Sequence, residues 1–174
     1  MKRALLVGAG AMGTAWARNL RECEKVDLVG WVDIVPGMAA SKADENGIRL
    51  TYSGTDLREA IQTVNPDFVV DVTTPESHCE VTCCALQHRI PVLGEKPMAI
   101  SMYEARKMVR TSEENRVLFM VSQSRRFEPG VAAFRRVIHD KIGRPEILNA
   151  EFYIGAHFGG FRDEMRSPLL LDMA

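Results

Sequence analysis

The chain has 174 residues, 46% of them hydrophobic and 26% charged, with 22 Lys and Arg against 23 Asp and Glu. This composition excludes disordered, collagen-like and fibrous classes, and a net charge of −1 gives no field that would gather nucleic acid or an anionic membrane. The length accommodates one full α/β domain and a remainder short of a second domain of ordinary size.

Met1-Lys2-Arg3 and the apolar stretch from Ala4 to Ala17 have the outline of a secretory signal. Three glycines weaken that stretch as a helix, and it is shorter than the roughly 20 residues that cross a bilayer. Cys23, Cys79, Cys83 and Cys84 are too few and too clustered for a disulfide framework and fit a reducing cytosol, so a cytoplasmic protein is expected. Cys79 and Cys83 stand four apart on a helix, near Cys84 and His88, but no second ligand pair follows, and no metal site is expected.

Six short apolar or β-branched runs alternate with helical segments over the first 121 residues: Ala4 to Val7, Asp27 to Asp33, Arg49 to Tyr52, Asp67 to Val72, Pro91 to Gly94 and Val117 to Val121. Several are apolar almost throughout, as strands buried on both faces must be, so the pattern predicts one doubly wound parallel sheet. Asp56 with Glu59, and Ser101 with Glu104, place a carboxylate three residues after a capping side chain and mark helix starts. Asn46-Gly47 and Asn65-Pro66 mark helix ends.

After Val121 the pattern changes. Phe127-Glu128-Pro129-Gly130 leads into a helix to about Lys141, with Val131, Phe134, Val137 and Ile138 on one face. Glu146 to Phe158 reads as a strand, Gly159-Gly160 as a turn, and Leu169 to Ala174 as the first turn of a helix. Residues 1–121 are therefore expected to form one doubly wound α/β domain, and residues 122–174 the first part of an α+β second domain.

Gly8-Ala9-Gly10-Ala11-Met12-Gly13 follows the first strand where strand turns into helix. Gly8 permits the tight turn, Gly10 lets backbone approach a pyrophosphate, and Gly13 lets the helix pack closely on the sheet. The phosphates would then meet amides at a helix N-terminus, those of Ala11 and Met12 among them. Such a turn also suits S-adenosylmethionine, and the second element decides: Asp33 closes the second strand 20 residues after Gly13, where a carboxylate accepts both ribose hydroxyls. It would repel a 2′-phosphate, and Ile34 and Val35 offer no Arg to hold one, so NAD is favoured over NADP.

Three more segments fall after the fourth, fifth and sixth strands, at the carboxyl edge where such a sheet binds ligands. They are Thr73-Thr74-Pro75-Glu76-Ser77-His78, Gly94-Glu95-Lys96-Pro97 and Gln123-Ser124-Arg125-Arg126-Phe127-Glu128-Pro129. With the glycine turn, these segments resemble the Gfo/Idh/MocA family of oxidoreductases, along the whole chain.

The resemblance implies a Rossmann domain and an NAD(P)-dependent dehydrogenase acting on a sugar, polyol or related molecule. Lys96 would act in proton transfer at the reacting hydroxyl, and Glu95 would contact the nicotinamide or its ribose. Thr73, Thr74 and Pro75 would line the cofactor, and His78 would order that loop. A cis Lys96-Pro97 bond is implied. Arg125, Arg126 and His157 are candidates for substrate contact. In the family an Asp-x-Gly-x-His helix completes the catalytic group. Asp172 matches its Asp, Ala174 stands where Gly is common, and the His position falls beyond the sequence. On this reading the 174 residues are a piece of a longer, homo-oligomeric enzyme that binds NAD without turning over substrate. The alternative is a catalytically inactive NAD-binding fragment or regulator.

Overall fold

A computed structural model describes residues 1–149, 151 and 162–163. The chain divides into two units, Met1–Ser122 and Gln123–Ala174.

The first unit runs β1 (Lys2–Val7), α1 (Ala11–Glu22), β2 (Val26–Val32), α2 (Met38–Glu45), β3 (Tyr52–Gly54), α3 (Leu57–Val64), β4 (Phe68–Asp71), α4 (Pro75–Gln87), β5 (Val92–Gly94), α5 (Met102–Asn115) and β6 (Phe119–Val121). All six strands are parallel, in the order β3-β2-β1-β4-β5-β6, which is the doubly wound Rossmann arrangement.

Side chains alternate across a strand, so β1 feeds two cores. Ala4 and Leu6 pack with Ala17, Leu20, Ala39 and Ala43 of α1 and α2, while Leu5 and Val7 pack with Ala60, Ile61, Ala85 and Leu86 of α3 and α4. Burial on both faces explains why the strand read as an unbroken apolar run.

The punctuation in the sequence acts locally. Asp56 Oδ1 accepts the amides of Arg58 and Glu59 at the start of α3, and Ser101 Oγ accepts the Glu104 amide at the start of α5. Glu59 does not reach back to its cap, because its carboxylate accepts the Tyr52 hydroxyl at 3.0 Å. Asn46 and Asn65 cap the ends of α2 and α3.

One strand is displaced from its expected place. The run Arg49 to Tyr52 contributes only its last residue to β3, because Ile48 and Leu50 pack into the α1/α2 core and the β2 ladder begins at Gly30 opposite Tyr52. The apolar signal came from packing beside the sheet.

In the second unit a single 3₁₀ turn (Ser124–Phe127) precedes α6 (Pro129–Val137), which widens into a π turn over Ile138–Ile142 and stops at Gly143 with φ +80°. The regular helix is thus shorter than the one expected to reach Lys141. Glu146 to Asn149, expected to open a strand, join no ladder among the described residues. Ile147 and Leu148 are exposed. The remainder of that strand with His157, the Gly159-Gly160 turn and the helical start around Asp172 lie outside the described residues.

Candidate dinucleotide site

Parallel pairing puts the last residues of five strands in line: Val32 opposite Val7, Val7 opposite Asp71, Asp71 opposite Gly94, and Gly94 opposite Val121. Whatever follows these residues emerges on one edge. Gly8, Asp33, Thr73, Glu95 and Lys96 all do, and the strand order reverses between β1 and β4, where a crevice opens in such sheets.

The glycine turn is tightly built. Gly8 has φ +102°, and a Cβ there would lie 2.7 Å from the Val72 carbonyl oxygen. At Gly13 a Cβ would fall on the Gly8 carbonyl oxygen, so α1 crosses its own turn at backbone contact. Trp31 donates its indole N–H to that same carbonyl at 2.9 Å. Gly10 is different: a Cβ there would meet nothing within 4 Å, so packing inside the protein does not demand glycine. Gly10 also caps α1 without a side-chain hydrogen bond, and no acidic residue stands in the first turn with Ala11, Met12 and Gly13. Amides with the helix's positive end face open space there, an arrangement that suits a phosphate.

Asp33 joins two loops. Its Oδ2 accepts the Ala9 amide at 2.6 Å and its Oδ1 the Val35 amide at 2.8 Å, which fixes the carboxylate beside the glycine turn. Beyond β4, Thr74 caps α4 and Pro75 occupies its first turn. Beyond β5, the Glu95 amide donates to the Asp71 carbonyl at 2.8 Å. The Glu95 carboxylate accepts the Trp16 indole N–H at 2.8 Å and the Lys96 amide at 3.0 Å. The Lys96–Pro97 bond is cis, as the resemblance implied.

His78 is 1% exposed, its Nδ1 lying 3.0 Å from the Pro97 carbonyl oxygen and its Nε2 3.0 Å from that of Thr73. The ring therefore connects the loops after β4 and β5.

Two residues escaped sequence reasoning. Trp16 orients Glu95 from 79 positions away. Asp71, wholly buried at the end of β4, accepts the Thr73 amide and hydroxyl on Oδ1 and the Thr82 hydroxyl on Oδ2. Burial pushes its carboxyl above the ordinary range, opposed by the charge of His78 and by the Thr73 and Thr82 hydrogen bonds. A carboxylate within the run Phe68-Val69-Val70-Asp71 was the available signal, since Asp is seldom fully buried without partners.

Elsewhere, burial and then Cys83 push the Cys79 thiol up to about 11, and Cys83 is buried in the same core cluster. In the second unit, the Arg126 guanidinium lies 5.5 Å from the Phe127 ring centroid. No helix among the described residues is long and apolar enough to cross a membrane.

Comparison with known proteins agrees with this geometry. The model of the oxidoreductase family with an NAD-binding Rossmann fold, Gfo/Idh/MocA, matches residues 2–123. A 4-carboxy-2-hydroxymuconate-6-semialdehyde dehydrogenase from Sphingobium sp. is 30% identical over 90% of this chain and 48% of its own length. Inositol 2-dehydrogenase 4 from Saccharopolyspora erythraea is also 30% identical, over 92% of this chain and 48% of its own. The crystal structure of GenD2 from gentamicin A biosynthesis in complex with NAD superposes with a TM-score of 0.72 at 26% identity, over 81% of this chain and 40% of that one. The chain spans about half the length of the curated relatives it matches.

Proposed function

Since the chain belongs to the Gfo/Idh/MocA family of NAD-binding Rossmann oxidoreductases, we propose that it binds NAD in preference to NADP and serves a dehydrogenase reaction on a sugar, polyol or related small molecule. The observation that carries this reading is the open front of Gly10 beside the fixed carboxylate of Asp33, with Lys96 following β5 on the same edge. When bound, the nicotinamide supplies the hydride acceptor or donor.

The residues present fit the cofactor. The amides of Gly10 to Gly13 hold the pyrophosphate, and Asp33 accepts the ribose hydroxyls while repelling a 2′-phosphate. Thr73, Thr74 and Pro75 line the cofactor, Thr74 and Pro75 through backbone and methylene contacts. Glu95, steadied by Trp16, contacts the nicotinamide or its ribose. Lys96 handles the proton of the reacting hydroxyl, and Asp172 is assigned a catalytic role by its match to the Asp of the family's Asp-x-Gly-x-His pattern. Arg125, Arg126 and His157 serve the substrate. Relatives named for inositol and for a semialdehyde support a small molecule with a hydroxyl or carbonyl carbon at the reacting position. Residues 122–174 then open the substrate domain of a cytoplasmic, homo-oligomeric enzyme.

Calorimetric titration with NAD and NADP tests the cofactor assignment. Saturable binding of NAD with weaker NADP is expected. Absence of NAD binding, or tighter NADP, overturns it.

A further inference from the structure

We propose that His78 is held as an imidazolium whose two N–H groups tie the carbonyl of Thr73 to that of Pro97, making it the positioning residue of the backbone that carries Lys96. The positioning role of His78 rests on the reading of Lys96 above; its protonation state does not.

A carbonyl oxygen only accepts hydrogen bonds, while a neutral imidazole offers one N–H and one lone pair. In a neutral ring one of the two 3.0 Å contacts would set lone pair against lone pair, at a residue 1% exposed where water offers no substitute. With a proton on each nitrogen, both contacts become charge-assisted hydrogen bonds.

A buried cation requires a counter-charge, and the fold supplies one. Asp71 is 0% exposed, its Oδ1 accepts the Thr73 amide, an obligate donor, and the Thr73 and Thr82 hydroxyls lie within hydrogen-bond reach of its two oxygens. Such surroundings suit an acceptor-only carboxylate. Asp71 and His78 thus compete for one proton, and the two acceptor-only carbonyls facing the ring assign it to His78. The Thr73 peptide stands between them, with its amide on Asp71 and its carbonyl on His78. Glu95 and Lys96 stand beside Pro97, and from α5 both Lys107 and Glu104 act on Cys79, next to His78, with the Glu104 carbonyl accepting the Cys79 thiol. Glu76 and Glu80 of α4 are exposed.

The consequence is mechanical. Thr73 belongs to the loop that lines the cofactor, and Pro97 directly follows Lys96, so one ring sets the spacing of two loops. A glutamine or asparagine, with donors on a single nitrogen, cannot serve both carbonyls.

Ring-nitrogen correlation spectra of the full chain labelled with ¹⁵N-histidine at pH 7 read the protonation directly, with His78 assigned by its loss in His78→Gln. Two protonated nitrogens are expected; one protonated and one bare nitrogen overturns the proposal. Asp71→Asn, which keeps the shape, should lower the ring's proton affinity at least about tenfold, seen as a lower titration midpoint, and an unmoved midpoint counts against the pair. Should His78→Gln fail to fold, this selective movement supplies the assignment. Hydrogen exchange reads the positioning role: in His78→Gln, or in Asp71→Asn above its titration midpoint, exchange at the Lys96 amide should quicken about tenfold while β1 amides keep their protection. Uniform loss of protection would mean a structural role only. NAD calorimetry on the same sample keeps the two readings apart. A doubly protonated ring without NAD binding removes the cofactor assignment and leaves the clamp, and NAD binding with a singly protonated ring does the reverse.

Discussion

Asp33 shows how one side chain can belong to the fold and to the ligand at once, since each oxygen accepts one backbone amide and keeps a further lone pair for a ribose hydroxyl. Asp33→Ala should weaken NAD binding about 10- to 100-fold by calorimetry, the scale of one or two hydrogen bonds to a charged acceptor, and narrow the gap to NADP. Unchanged affinity would remove the ribose assignment. Trp16→Phe keeps the ring and deletes the N–H that holds Glu95. Weakening of NAD binding by about three- to tenfold is expected, with little change in the urea midpoint because Trp16 is only partly buried. Asp33 was legible because its place follows from the glycine turn and the strand after it. Trp16 was not, because its role depends on a partner 79 residues away that only the strand order brings near.

At the scale of the element, the glycine turn and α1 form one rigid piece. Gly13→Ala would drive a methyl group into the Gly8 carbonyl, a backbone atom already held by Trp31, so α1 must move away. Loss of about 2–4 kcal/mol in denaturant unfolding is expected, as for overpacking with no flexible neighbour to yield, together with loss of NAD binding. The opposite sign is expected where a helix ends badly. Arg116 closes α5 at φ +55°, a conformation costly for a side chain with a Cβ. Arg116→Gly should stabilise by about 0.5–1 kcal/mol, read as a higher unfolding temperature, because relief of that strain exceeds the added freedom of the unfolded chain. Caps at Asp56 and Ser101 were legible because they act within three residues. The shift of β3 was not, because Ile48 and Leu50 carry the same apolar pattern whether they pair in a ladder or pack beside it.

For the whole molecule, the alternation of strands and helices was enough to give the parallel sheet, since a crossover helix after each strand leaves few other topologies. The same topology separates the two edges of the sheet. The carboxyl edge carries the site, and the amino edge carries contacts that serve only the fold. Asp67, just before β4, accepts the Arg3 amide at 2.8 Å and the Lys2 ammonium at 3.2 Å. The Arg3 amide first, and Lys2 next, hold its carboxyl below the ordinary range. A depressed folded value means that its contribution to stability is present above the unfolded value near ~3.9 and disappears as pH falls through the folded one. Asp67→Asn should therefore lower the urea midpoint at pH 7, and the two proteins should converge as pH falls through the depressed folded value. NAD affinity should stay within about twofold, since the substitution lies on the edge away from Gly8 and Asp33. A large change in affinity would show that the edges are coupled through β1 and β4, which pair from Ala4 opposite Phe68 to Val7 opposite Asp71.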